Sequence, residues 1–250
     1  MSESRAEGPL RTEAERAARA ALARLFETST VDIATRLDQF PKYVRRQQIT
    51  RLLALYEIFK MALNVKGSVI NCGVFQGFSL MALAHFSAIL EPVDLTRRIY
   101  GFDTFGGFAS VGPQDDSSLR TTQPGELSAE SYDELLALSR AHDANRYLGH
   151  IEKVRLIRGD AVATIPKFIR DNRHLVVSLL FLDFDLYEPT KAALEHFVPR
   201  MPKGAVIAFD ELDNPMWPGE TLALLDTIGL RNLEIERLPY DPYIGYARIR

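Results

Sequence analysis

The 250-residue chain is 46% hydrophobic and 25% charged with a formal net charge of −3, the composition of an ordinary soluble enzyme. That balance excludes the basic field of a nucleic-acid binder, and no apolar run approaches the roughly 18 residues that span a bilayer. The one cysteine, Cys72, leaves no intrachain disulfide and no cysteine metal site, and Met1–Arg24 has no apolar signal core, so a cytoplasmic protein is expected.

Residues 1–11 are polar and carry Gly8-Pro9, which predicts disorder. From Thr12 to Phe26 an Ala-rich, charged pattern predicts a helix with a modest apolar stripe at Leu22, Leu25 and Phe26. A second helix is expected over Gln39–Asn64, where Leu52, Leu55, Tyr56, Phe59, Ala62 and Leu63 follow helical spacing. Its first turn (Lys42, Tyr43, Arg45, Arg46) reads as a basic face in solvent, with contact to an anionic ligand as the alternative. Residues 1–38 are therefore expected to be a helical extension and 39–250 one catalytic domain.

Ser68–Cys72 then predicts a strand, Gly73 and Gly77 a tight turn, and the run to Leu90 an apolar helix. Glycines let a ligand approach the backbone, and the helix offers its N-terminal amides. The spacing is neither that of dinucleotide folds nor that of phosphate loops. Arg98–Asp103 predicts a second strand ending in an acid, the usual place to hold ribose hydroxyls. The polar segment that follows is long for a passive connection, so an acceptor-binding insertion or lid is expected at about 109–150, with disorder over 114–123 as the alternative. A helix over Tyr132–Asn145 and a strand over Val154–Arg158 follow.

Val176–Tyr187 (Val-Val-Ser-Leu-Leu-Phe-Leu-Asp-Phe-Asp-Leu-Tyr) predicts a strand buried on both faces and ending in Asp183 and Asp185, on one side if the strand persists. Ala205–Phe209 is a second such strand, ending in Asp210-Glu211. Oxygen ligands from neighbouring strands suggest a hard divalent cation. Leu233–Leu238 and Tyr243–Ile249, joined by proline turn chemistry, predict an antiparallel pair. The sum is an α/β fold: a doubly wound, mostly parallel seven-stranded sheet with an antiparallel C-terminal edge.

Asn71-Cys-Gly-Val-Phe-Gln-Gly77, Tyr-Gly-Phe-Asp103, Gly159-Asp160-Ala161 and Leu182-Asp-Phe-Asp-Leu-Tyr187 resemble the motif series of class I S-adenosylmethionine-dependent methyltransferases. From about Tyr43 onward the chain resembles the macrocin O-methyltransferase family, and within it the enzymes that methylate the 3-hydroxyl of nucleotide-linked 6-deoxyhexoses. The resemblance implies that Gly73, Gln76 and Gly77 line the methionine part of S-adenosylmethionine, that Asp103 holds the ribose, that Asp160 and Ala161 meet the adenine, and that Ser79 and Thr104 also bind the cofactor. It implies Mg²⁺ or another divalent cation on Asp183, Asp210 and Glu211. Asp183 is the first candidate for the base and Asp185 the second. Asn71 departs from the family pattern, where an acid is common, and Glu211 stands where relatives often have Asp or Asn.

The implied acceptor is a nucleotide-sugar or a glycosylated natural product, with no nucleic acid and no membrane, and a homo-oligomer is expected from the N-terminal helices. Two other classes compete. Leu-Asp183-Phe-Asp185 resembles the opening of Asp-x-Asp phosphatases, but Leu-Tyr replaces the usual Gly-Thr and the motif lies late in the chain. A non-catalytic nucleotide-binding protein is the other. Trp217, in the proline-rich loop after the acid pair, reads either as a wall of the acceptor pocket or as loop packing. Arg120 and Arg146 are candidates to meet a diphosphate. His142 and His150 lie near the insertion, His85 reads as packed, His174 and His196 as surface, and Cys72 as core.

Overall fold

The structure is a computed structural model in which residues 12–250 are described; the disorder expected over 1–11 lies outside them. The sequence ends the helical extension at residue 38; the contacts divide the chain into two compact units between Leu53 and Ala54.

In the first unit, α1 (Glu13–Glu27) starts with a capping box in which Thr12 and Glu15 satisfy each other's backbone amides. A short helix the sequence reading does not anticipate, α2 (Ile33–Asp38), is capped by Asp32, whose Oδ1 accepts the Thr35 amide at 3.0 Å. The helix expected from Gln39 is broken: Phe40–Lys42 form a 3-10 turn and α3 (Arg46–Ala62) begins after it. Pro41 explains this, since it removes an amide donor and disfavours helical geometry in the residue before it. The Phe26 and Tyr43 rings meet edge to face at 5.1 Å.

The second unit alternates strands and helices: β1 (Ser68–Cys72), α4 (Phe78–Leu90), β2 (Ile99–Asp103), α5 (Tyr132–Ala144), β3 (Val154–Arg158), α6 (Ala161–Asp171), β4 (Val177–Leu182), α7 (Tyr187–Phe197), β5 (Val206–Phe209), α8 (Pro218–Thr227), β6 (Glu236–Arg237) and β7 (Gly245–Arg248). They form one seven-stranded sheet in the order β3-β2-β1-β4-β5-β7-β6. The first five strands are parallel, and β7 runs antiparallel to both β5 and β6. The fold expected from the sequence is the fold observed, with β6 and β7 shorter than the alternation suggests.

β1, β4 and β5 are buried at every position because helices cover both faces. On one face Phe102 stacks against Phe168 of α6 at 5.2 Å and Phe197 of α7 at 5.5 Å. On the other, a Cβ on Gly101 would come within 2.9 Å of Leu80 of α4, so β2 needs a glycine there. Each large side chain so buried contributes about 1.5–3 kcal/mol. At the amino ends of the strands Arg97, 5% exposed, donates to Glu91, Ser178 and the carbonyls of Leu63 and Val65, which satisfies its buried charge. The carboxyl ends stay open, and the strand order reverses between β1 and β4. Among the described residues no helix is long and apolar enough to cross a membrane.

Candidate active site

A cleft with about 650 Å³ of space, open to solvent, lies over the carboxyl ends of β1, β2, β3 and β4. That is where a doubly wound sheet places its ligand. Gly73, Asp103, Thr104, Asp160, Ala161, Asp183 and Asp185 line it, so seven of the residues singled out in the sequence converge. Gln76, Gly77, Ser79, Asp210 and Glu211 are not among the lining residues.

The turn after β1 is tight for a reason that can be stated in ångströms. Gly73 has φ +83°, and a Cβ there would lie 1.8 Å from the Asp183 carbonyl oxygen, where β4 passes. Gly77, at φ +88°, faces a different constraint: its missing Cβ makes room for Leu135 of α5, 2.2 Å away. Asp103, at the end of β2, accepts the Val74 and Phe75 amides through Oδ2, both at 2.8 Å, and the Phe105 amide through Oδ1 at 2.6 Å. It therefore braces the turn, and a carboxylate with about four acceptor sites retains capacity for one more donor. Asn71 is fully buried and donates to the Gly73 carbonyl at 2.9 Å, while its amide oxygen has no partner. An ionised acid at this position could not make that donation. Asp160 caps α6 by accepting the Val162 amide at 3.0 Å.

The two acids after β4 do not share a strand face. β4 ends at Leu182, and Asp185 has a left-handed φ of +64°, so the chain turns between them and the alternation expected from the sequence is lost. Both still line the cleft. A non-glycine residue held at positive φ costs about 1–3 kcal/mol and marks sites that the surroundings over-determine. Phe75, which also lines the cleft, shares this geometry at φ +50°.

Asp210 follows β5, and its amide donates to the Leu182 carbonyl at 2.9 Å, which sets the β5 acids beside the end of β4. Asp210 and Glu211 are 2% and 3% exposed. Glu211 accepts the Asn214 side-chain amide, and its own backbone amide donates to Glu220 at 2.5 Å. Glu220, in the first turn of α8, is fully buried, and its second oxygen has no partner. Burial, then the Glu211, Asp210 and Asp185 charges, push its carboxyl well above the usual carboxylate range. Among the described residues, no three His, Cys, Asp or Glu side chains gather in a geometry ready to hold a metal ion. The chemistry of the donors nonetheless fits a hard cation: carboxylates follow two adjacent strand ends, and burial together with their charges raises the pKa of the neighbouring Glu220.

The segment after β2 is ordered by contacts far away in sequence. Asp115, 3% exposed, accepts the Tyr187 amide at the start of α7 at 2.7 Å, and its other oxygen accepts Gly112 at 2.9 Å. A Cβ on Gly219 would strike Asp115 at 2.2 Å, so α8 needs its glycine where the loop docks. The Ser117 hydroxyl donates to the Pro215 carbonyl at 2.6 Å. Trp217, 2% exposed, packs edge to face on Phe108 at 5.8 Å, and the Arg120 guanidinium lies over its ring at 4.3 Å. Phe108 and Glu126 line the cleft, so Trp217 backs the wall that faces it.

Sequence reasoning missed Asp115 and Glu220. An acid in a polar loop or a first helical turn looks like a solvated one, and only Gly219-Glu220 after Pro218 hinted at close packing. Arg146 is fully engaged by Asp143, Tyr147 and Ile151 and holds a turn. His142 stacks edge to face on His85 at 4.8 Å in the contact between α4 and α5.

Comparison with known proteins adds a family. The model for macrocin-O-methyltransferases matches residues 43–223. The 8-demethyl-8-(2,3-dimethoxy-alpha-L-rhamnosyl)-tetracenomycin-C 4'-O-methyltransferase of Streptomyces olivaceus is 26% identical over 154 residues, 60% of this chain; that match spans 55% of the relative's own length. The crystal structure of CalS11, calicheamicin methyltransferase, superposes with a TM-score of 0.92 at 34% identity, covering 95% of this chain and 93% of that one. The apo structure of CalS11, described as TDP-rhamnose 3'-O-methyltransferase, gives 0.83 at 33% identity, covering 95% of each. The O-methyltransferase NovP, at 20% identity and a TM-score of 0.56, shares the fold over 80% of both chains.

Proposed function

The chain belongs to the macrocin-O-methyltransferase family, and on that premise we propose that it transfers the methyl group of S-adenosylmethionine to the 3-hydroxyl of a nucleotide-linked 6-deoxyhexose. The observation that carries this reading is the agreement with CalS11, in which a third of the residues are identical over 95% of both chains. The relative from Streptomyces olivaceus is named for a 4'-hydroxyl, so the position is the finer part of the proposal. A glycosylated natural product is the second acceptor class, favoured by that same name. Family membership speaks against the phosphatase and scaffold readings.

In this reading the methionine end of the cofactor lies along Gly73, Gln76, Gly77 and Ser79, with the ribose at Asp103 and Thr104 and the adenine at Asp160 and Ala161. The acids lining the cleft suit a sulfonium cation. The acceptor hydroxyl oxygen bonds to the methyl carbon, the carbon–sulfur bond breaks with its electrons passing to sulfur, and the hydroxyl proton goes to a carboxylate. Asp183 is the first choice for that carboxylate and Asp185 the second. A divalent cation such as Mg²⁺ would be held by Asp183, Asp210 and Glu211; when bound, it lowers the pKa of a sugar hydroxyl and orients it. Phe108, backed by Trp217, gives the acceptor side an apolar wall. Positioning supplies most of the acceleration, since methyl transfer asks little covalent help of a protein.

We also read the protein as a cytoplasmic homo-oligomer. α1 and α2 have no buried residue, and Leu25, Ile33 and Leu37 are each more than 60% exposed, an apolar surface that a second copy would cover.

Calorimetric titration with S-adenosylhomocysteine, with and without Mg²⁺, followed by methyl transfer to a panel of nucleotide deoxysugars, tests the reading. Binding with Mg²⁺-dependent, EDTA-sensitive transfer is expected. Binding with transfer to glycosides alone would move the acceptor, and no binding would end the methyltransferase assignment. Sedimentation velocity tests the assembly.

A further inference from the structure

The cleft has a charge problem if its acceptor is a nucleotide-linked sugar. Among the described residues that line it there are five carboxylates, on Asp103, Glu126, Asp160, Asp183 and Asp185, and no lysine or arginine. Such a lining welcomes a sulfonium and repels a diphosphate. Like charges within a few ångströms of one another repel even at the effective dielectric of a protein surface. The divalent cation proposed above would sit at the hydroxyl end, so the phosphates of such an acceptor call for a cation of their own, brought to the cleft from just behind its wall.

The arginines that the sequence and the sheet place near the cleft differ in how far they are committed. Arg146 uses all three of its nitrogens on Asp143 and two carbonyls. Arg97 is consumed at the opposite end of the strands. Arg158 precedes Gly159-Asp160 and lies over Tyr132 at 5.2 Å, on the side assigned to the adenine. Arg120 is different. One terminal nitrogen pairs with Glu126, itself a lining residue, while its Nε is buried with no partner. The guanidinium lies on the Trp217 ring at 4.3 Å, and that ring is braced by Phe108 of the cleft wall at 5.8 Å. A guanidinium stacked in this way is fixed in plane but keeps its donor edge, which is the geometry that recognises phosphate by paired hydrogen bonds. The loop that carries it is pinned by Asp115 to α7 and by Ser117 to Pro215, so the group is placed in advance.

We propose that Arg120 is the specificity residue for the diphosphate of the acceptor, and that Glu126 is a built-in competitor that occupies Arg120 until the anion displaces it. The inference rests on the nucleotide-sugar reading above. It gives Glu126 a reason to line a cleft that must admit an anion: paired, it holds the arginine poised and neutralised, and an uncharged acceptor gains nothing from breaking the pair.

The test is calorimetric titration of the full chain with thymidine diphosphate and, as an uncharged probe, thymidine, with and without S-adenosylhomocysteine. Arg120→Ala is expected to weaken thymidine diphosphate by at least about tenfold, the size of a lost charge-assisted contact, and to leave thymidine unchanged. Arg120→Lys keeps the charge but loses the fork and the stacking, and falls between. Glu126→Gln is the decisive variant, because removing the competitor should tighten thymidine diphosphate by several-fold, whereas loss of a merely structural ion pair would weaken it or do nothing. S-adenosylhomocysteine affinity and thermal midpoint should stay within about twofold and a few degrees in all three.

The proposal is overturned if Glu126→Gln and Arg120→Ala change diphosphate affinity in the same direction, or if folded Arg120→Ala binds it as wild type does. It is also overturned if the wild type ignores thymidine diphosphate while methylating glycosides, a result that leaves methyl transfer standing. Failure to bind S-adenosylhomocysteine would instead strike the enzymatic reading, and the diphosphate titration would still report on Arg120.

Discussion

The two sides of the cleft are built by different rules. The side that Gly73, Asp103 and Asp160 form rests on strand–turn–helix units: Asp103 braces the turn from only 29 residues away, at Val74, and the backbone there is crowded further by the Asp183 carbonyl against Gly73. The opposite side, formed by Phe108, Glu126 and the loop behind Trp217, is held by contacts 72 and 98 residues apart in sequence. A local design tolerates few changes because its backbone is crowded. A remote one tolerates many, and fails only where a side chain bridges the distance.

The largest effect that tests this contrast lies where the two sides meet. Asp183→Asn should lower methyl transfer by about 10³-fold or more, the contribution of a positioned base and its charge, while S-adenosylhomocysteine binding in calorimetry stays within about twofold. Turnover near the wild-type value would remove Asp183 from the chemistry. Next is Gly73→Ala, which combines a positive φ with a backbone clash at 1.8 Å. It should cost about 2–4 kcal/mol and lower the thermal midpoint by roughly 5–15 °C. Gly106→Ala, in the remote loop, has nothing within 4 Å and should be near neutral. Equal losses in a thermal melt would erase the contrast.

Asp115→Ala breaks one of the long bridges. It leaves the buried Tyr187 amide without its acceptor and should cost about 1–2 kcal/mol in urea unfolding. The same change should raise the acceptor KM several-fold and leave cofactor affinity alone; a matching loss in both would mean that the two sides are not separable.

The smallest effect is outside the cleft. Burial, and then the neighbouring His85, hold His142 down to about 4 from its ordinary 6.5. Its folded value lies below its unfolded one, so the unfolded chain takes up more protons between those limits. Stability carried by the neutral ring is complete above pH 6.5 and is lost as pH falls toward about 4. The urea midpoint should therefore fall between pH 7 and pH 5, and His142→Phe should flatten that part of the fall.

How much of this was legible follows the same division. The strands, the tight turn after β1 and the acids after β2, β4 and β5 each announce themselves within a dozen residues, as an apolar run ended by a glycine or a carboxylate. The short α2 did not, since six residues give no periodicity to read and Asp32 is the only local sign of its start. The long helix expected from Gln39 foundered on the proline at 41. Asp115 and the stacking of Arg120 on Trp217 were hidden because partners 72 or more residues away leave no spacing to detect, and Glu220, whose partner Glu211 is only nine residues away, because an acid in a first helical turn reads as a solvated one. The side-by-side reading of Asp183 and Asp185 failed for a backbone reason, the left-handed turn at 185.

The bridge from Ser117 to Pro215 spans 98 residues, and this has a consequence for how the chain is born. At a synthesis rate of about 5–20 residues per second, the Ser117 hydroxyl waits some 5–20 s on the ribosome before its acceptor is made. During that interval the strands from β1 to β4 can already pair, so the wall behind the acceptor is the last part of the cleft to close. The loop behind the cleft wall thus receives its last anchor only when more than four-fifths of the chain has been made.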